Sequence, residues 1–256
     1  MKLSTSDSWG KIERARFHLS ELYRQVHGFI DGELLQIPVY KVTLPEQGYI
    51  SLRIQEIPPI SAGFRLILGD VIHNYRSSLD YLWWQLACRN LGREPTSKEA
   101  GGVQFPLLSV EGDWGVHRSF KHVALPDVEF LKRFQPFNAA ADQTMVLEAL
   151  REMSNHDKHR TLNPTLTKIN DYTVKNIGDA DKAIYVEVKD LPEKLRVDSE
   201  IAKVFKEFEG EFYSTAEVYV EFRACLTVHD KWNVFSVLEE IDHQCELMLN
   251  EAKRIL

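Results

Sequence analysis

The sequence has no apolar run approaching the roughly 20 residues a membrane-spanning helix needs. No membrane segment is therefore expected. It holds three cysteines, Cys88, Cys225 and Cys245, far apart and with no CxxC pair. An odd, scattered set excludes a disulfide framework and a cysteine-based zinc site, and it suits a reducing compartment. The N-terminus, MKLSTSDSWGKIERAR, has no apolar core, so no signal peptide is expected and a cytoplasmic location is the default. A basic excess is also missing, since the formal net charge is −7. No general field attracts nucleic acid or anionic lipid, and RNA could bind only at a local basic site. Gly-rich phosphate loops, GxSxG, HExxH and EF-hand loops are absent.

What the chain does have is globular. Its 256 residues are 44% hydrophobic, with five Trp and thirteen Phe, enough for a sizeable core. Residues 8–31 read as a helix, because Ile12, Ala15, Leu19, Leu22, Val26 and Ile30 recur at three- and four-residue spacing. Residues 39–44 and 49–57 read as a hairpin, with turn residues Pro45 to Gly48 between them. Residues 61–91 predict the longest helix, apolar on most of its circumference and so central in the fold. Residues 92–126 suggest long loops, and 127–134 a short helix. A further helix is expected over 141–157, with Val146, Leu147, Leu150 and Met153 inward.

The period then changes to two. Strands are expected at 161–168, 172–176, 184–189 and 216–228, and a short helix at 199–209. His229 to Trp232 read as a turn, Asn233 as an N-cap, and 234–253 as a last helix with its stripe on Val237, Leu238, Ile241, Cys245, Met248 and Ala252. The expected architecture is one α+β domain over 1–256, a four-helix bundle core with an antiparallel sheet formed mainly by the C-terminal half.

Two segments carry chemistry. In GDVIHNYRSSLDYLWWQLA, residues 69–87, His73, Arg76, Ser77, Asp80 and Trp84 fall in one narrow sector of the helix, with Asp70 nearby. Arg76 and Asp80 have the spacing of a direct ion pair. His73 and Asp80 lie about 10 Å apart along the axis, with Arg76 between them. On so apolar a helix the stripe is expected to be buried, either as a polar network that sets packing or as a working site. In REMSNHDKHRTL, residues 151–162, Asp157 follows the inward stripe while His156, Lys158, His159 and Arg160 crowd round it. Cations suit a helix C-terminus, but a carboxylate there needs a cationic partner such as Arg76, His73 or Lys158. The two helices are expected to lie side by side.

The run His73-Asn74-Tyr75-Arg76-Ser77-Ser78-Leu79-Asp80 with Trp84, together with Asp157-Lys158-His159-Arg160, resembles a family of uncharacterised bacterial and phage proteins over about two thirds of the chain. A looser resemblance is to the HEPN superfamily, helical bundles that are often metal-independent RNases of toxin and defence systems and work as dimers. Their motif is Arg, four to six residues, then His. Arg76 holds the mid-bundle position, but the residue five beyond it is Tyr81 and no His lies in the permitted window; the spacing is matched by Arg151 and His156. That resemblance implies RNA as ligand and a possible homodimer. Metal-independent RNA cleavage needs a base, an acid and a cation for the phosphorane. The expected site is His73, Arg76, Asp80, Asp157, His159 and Arg160, without cofactor or metal. The alternatives are a non-catalytic binding or assembly protein with a structural polar network, and an HD-like metal phosphohydrolase, to which the His156-Asp157 doublet is similar. His117 and His122 read as surface residues of a loop.

Overall fold

The computed structural model describes residues 5–30, 34–44, 46, 48–57, 59–138, 141–159, 162, 164–175, 185–188, 196–205, 218–228 and 231–255. The fold is α+β. Its contacts divide it into two compact units, Met1–Tyr23, Ala62–Asn163 and Val234–Leu256 in the first, Arg24–Ser61 and Pro164–Asn233 in the second.

The first unit is helical. It takes most of α1 (Ser6–Ile30), then α2 (Ala62–Leu91), α3 (Ser97–Ala100), α4 (Leu125–Lys132), α5 (Ala141–His159) and α6 (Val234–Ile255). Helix α2 is central, as its near-continuous apolar circumference predicts: Phe64, Leu68, Val71, Ile72, Tyr75, Leu79, Leu82, Trp83 and Leu86 are buried. Each such side chain contributes about 1.5–3 kcal/mol of transfer free energy. Helices α2, α5 and α6 pack on one another, and α2 lies beside α5 as the matching stripes predict. Val146, Leu147, Leu150 and Met153 of α5 are buried, as are all six stripe residues of α6. Helix α2 ends where Gly92, at φ +68°, takes the left-handed conformation that a residue with a Cβ adopts at a cost.

The segment expected as long loops is more ordered than its Gly and Pro content suggests. Beside α3 it forms two 3-10 turns, Glu111–Val116 and Arg118–His122. Aromatic side chains fasten it to α2. Trp83 meets Phe105 edge-on at 5.8 Å, and its indole N–H donates to the Ser119 carbonyl at 3.1 Å. Trp114 and Phe120 rings lie 4.5 Å apart.

Among the described residues the second unit holds one seven-stranded antiparallel sheet. Its strands are β1 (Leu34–Leu44), β2 (Tyr49–Ile54), β3 (Thr165–Lys175), β4 (Tyr185–Val188), β5 (Glu200–Phe205), β6 (Val218–Val228) and β7 (Trp232–Asn233). The order is β3-β6-β1-β2-β5-β4, with β7 on β6. The expected hairpin is β1–β2, closing with Leu44 opposite Tyr49 and Gly48 at φ +72°.

Two strand readings need correction. The short helix expected at 199–209 is a strand where it is described, since Glu200–Phe205 pairs with both β2 and β4. Ile201, Val204 and Phe205 match a helical period. In the fold, hydrogen bonds to two neighbouring strands outweigh that pattern, and Glu200 joins Ser51 and Arg53 on the facing strand. The strands expected at 161–168 and 172–176 are one, β3, whose register against β6 shifts between Ile169 and Tyr172. Of the turn read at His229 to Trp232, His229 and Asp230 lie outside the described residues; Trp232 and Asn233 form β7 directly before α6.

Candidate functional site

Helix α2 places its polar groups differently from the expected burial. The stripe lies at the rim of the core: His73 and Asp70 are exposed, while the Arg76 and Asp80 side chains keep 13% and 29% of their exposure. The fully buried polar groups of α2 face elsewhere and are satisfied. Asn74 donates to the Asp70 carbonyl at 2.8 Å and Ser78 to the Tyr75 carbonyl at 2.7 Å. The Tyr75 hydroxyl donates to Asp242 Oδ1 at 3.0 Å, and Arg16 grips the same carboxylate from Nε at 2.8 Å and Nη2 at 2.8 Å. Burial first, then Asp242, pushes the Tyr75 phenol well up. Sequence reasoning missed this three-helix cluster, because nothing local links Arg16 to a carboxylate near the other end of the chain.

Arg76 and Asp80 do pair, at 3.0 Å. Their shared target is the backbone of Phe105. Asp80 Oδ1 accepts from the Phe105 N–H at 2.9 Å, and Arg76 Nη2 donates to the Phe105 carbonyl. Both peptide groups of one buried residue are thus satisfied by two side chains one helical turn apart.

The second motif is brought to the first, but not to one point. Asp157 is half-buried against Gly69, where the missing Cβ lets α5 approach α2. Burial pushes the Asp157 carboxyl up, His73 and His156 oppose this, and Asp70 adds to it. On α2, His73 thus favours the charged form of Asp157, while Arg76 faces Phe105. His73 Nε2 lies 3.4 Å from Ser77 Oγ. The His159 side chain and all of Arg160 lie outside the described residues.

Arg76 instead lines a cavity of about 200 Å³ with Arg118, Arg151, Lys158 and His117, bordered by Gly102 and the Gln104 to Leu107 segment. No Asp or Glu lines it. Arg151 is paired with Glu148 and Arg76 with Asp80, whereas Arg118 and Lys158 are exposed and have no carboxylate partner among the described residues. His117 is half-buried. Its Nδ1 accepts from the Ser119 backbone N–H at 3.4 Å and lies 2.6 Å from Ser119 Oγ, so neutral His117 carries its proton on Nε2. Burial first, then the Arg118 and Arg76 guanidinium groups, push His117 below its ordinary pKa; Asp113 opposes this. His117, read from sequence as a surface residue, therefore belongs to the cavity. Its run with Arg118 and Ser119 held no spacing that pointed to α2 and α5.

A second, larger cavity of about 900 Å³ lies between the start of α1 and the last turns of α2, lined by Lys11, Arg14, Asp80, Tyr81, Trp84 and Gln104 among others. Gln104 borders both cavities. The Arg76–Asp80 pair joins them, since Arg76 borders the first and Asp80 the second.

Among the described residues no three His, Cys, Asp or Glu side chains are grouped to hold a metal ion. Nor is any helix among them long and apolar enough to cross a membrane. No protein-family model, curated protein or solved structure matches this chain.

Proposed function

We propose that this chain binds single-stranded RNA, holding a backbone phosphate in the basic cavity between α2, α5 and the 3-10 turns. One observation carries the reading: four permanent cations and a histidine N–H surround a cavity with no acidic lining residue, in a chain of net charge −7. Packing alone gives no reason to gather like charges around one cavity, where burial first and then Arg118 and Arg76 disfavour a protonated His117. A bound phosphate offsets that repulsion, and Arg guanidinium groups match it in bidentate fashion. The choice of RNA over other phosphates follows the HEPN resemblance carried by Arg76 and Arg151. Binding without cleavage is the better-supported form, because the acceptor nitrogen of His117 is taken up by Ser119.

A packing role for the Arg76–Asp80 pair is favoured by its grip on Phe105. In this reading the pair frames the cavity, and Arg118 and Lys158 supply the free charge.

The test is fluorescence anisotropy of a labelled ten-nucleotide RNA at low salt. Arg118→Ala with Lys158→Ala should remove most of the affinity and flatten the salt dependence by about 0.7 per lost phosphate contact. Both side chains are exposed, so folding should be unaffected. Absence of RNA affinity for the unaltered protein at low salt would overturn the proposal.

A further inference from the structure

The larger cavity differs from the basic one in chemistry. Its charges are mixed, Lys11 and Arg14 against Asp7, Asp80 and Glu94, so it offers a phosphate no net attraction. It presents instead two aromatic rings one turn apart on α2. Tyr81 is 43% exposed, and Lys11 Nζ lies over one face of its ring, 5.6 Å from the centroid. Trp84 is half-buried. The side chains of Trp84, Gln85 and Gln104 have no hydrogen-bond partner among the described residues. On Asp80, Oδ1 takes both the Arg76 and the Phe105 donors, which leaves Oδ2 open to a further donor. A flat ligand with donors and acceptors on its edge answers all of these features.

We infer that this cavity is a nucleobase subsite, in which an unpaired base stacks on Tyr81 and Trp84 and meets Gln85, Gln104 and Asp80 Oδ2 with its edge. The inference rests on the proposed RNA reading and deepens it, since Gln104 borders both cavities and a bound strand would place a base in this one and a phosphate in the other. Every base has a face to stack, so the platform itself is tolerant of sequence. Asp80 adds selectivity. A carboxylate oxygen accepts from an exocyclic amino group, which adenine and cytosine have and uracil lacks.

Three pentanucleotides that share one phosphate backbone test this: adenine-containing, uracil-containing and abasic. The adenine pentamer should bind about tenfold more tightly than the abasic one, the scale of a single stacked base. The uracil pentamer should fall between them. Tyr81→Ala should remove most of the adenine advantage and leave abasic affinity unchanged, while Tyr81→Phe retains the advantage. Tyr81 is exposed, so these variants should fold, which circular dichroism verifies. Equal affinity for adenine and abasic pentamers would overturn the base subsite and leave the phosphate reading standing. So would an adenine advantage that survives Tyr81→Ala. Failure of all three oligonucleotides to bind would overturn both.

Discussion

Gly69 presents a bare Cα to the carboxylate of Asp157: a Cβ at that position would stand 2.9 Å from Oδ1 and 3.3 Å from Cγ. A glycine inside a helix costs about 1 kcal/mol relative to alanine. Here the cost is met by the close approach of α5. Gly69→Ala should therefore be near neutral in the unaltered protein, the helical gain being offset by displacement of the carboxylate. In an Asp157→Ala background the same change should stabilise by about 1 kcal/mol. Urea unfolding of the four proteins of the cycle measures the coupling. Strict additivity would show that the two residues do not compete for the space.

Asp157 also sets a pH dependence. Its folded pKa is raised, so the folded state binds the proton more tightly than the unfolded chain. Stability attributable to this group is then lost as pH rises from the ordinary carboxyl range through the folded pKa, and stays low above it. Asp157→Asn should raise the melting temperature at pH 7, and the advantage should shrink as pH falls towards the unfolded value of about 4. Thermal melts across that range are sufficient; a melting temperature lowered at pH 7 would contradict the assignment.

Arg76→Ala removes the donor to the Phe105 carbonyl and the partner of Asp80. Asp80 keeps its bond to the Phe105 N–H, so the loss should be about 2–3 kcal/mol, below that of a fully buried pair with nothing left. Arg76→Lys should recover little, since one ammonium group on a flexible stem does not reproduce the planar fork. Chemical denaturation of the three proteins decides this, and a Lys variant as stable as the original would refute the geometric argument.

The cysteines give a check on the helical core. Cys88 and Cys245 are buried, and burial pushes the Cys245 thiol up to about 12. Thiolate is the reactive form, so neither should react. With Cys225→Ser in place, native protein should show no fast reaction with a thiol-specific disulfide reagent at pH 8, and two thiols should react after unfolding. Rapid native labelling would mean that α2 or α6 opens readily.

His117 should titrate below an ordinary histidine in the free protein, and inorganic phosphate or an oligonucleotide should raise its pKa by offsetting the Arg118 and Arg76 charges. Imidazole resonances, assigned with His117→Asn, follow this directly. Because the folded pKa is depressed, the stability linked to His117 falls as pH drops from about 6.5 through the folded value. A His117 resonance indifferent to phosphate would count against the basic cavity as an anion site.

Much of this arrangement was legible before any coordinates. The periods of α1, α2, α5 and α6 are long and strong, and their stripes became the helical core. The pairing of Arg76 with Asp80 follows from local spacing, and Asp157 needed a neighbour on α2. Other features had no local signal. Glu200–Phe205 fits two periods equally well, and only its flanking strands choose between them. The burial expected of His73 was overestimated, because a near-continuous apolar circumference does not say which sector meets solvent. His117 and Arg118 entered the basic cavity through the Trp83 and Phe120 contacts of a Gly- and Pro-containing segment, which carries no period to extrapolate.

The grip on Phe105 has a further consequence. A single residue, held at both its N–H and its carbonyl by adjacent turns of α2, forms part of the wall of the basic cavity, and Gln104 before it borders both cavities. Any occupant that tightens this grip from one side prepares the wall for an occupant on the other. Linkage requires the favour to be returned in equal measure. On the proposed reading, coupling between occupants of the two cavities would run through this one peptide unit rather than through a moving domain.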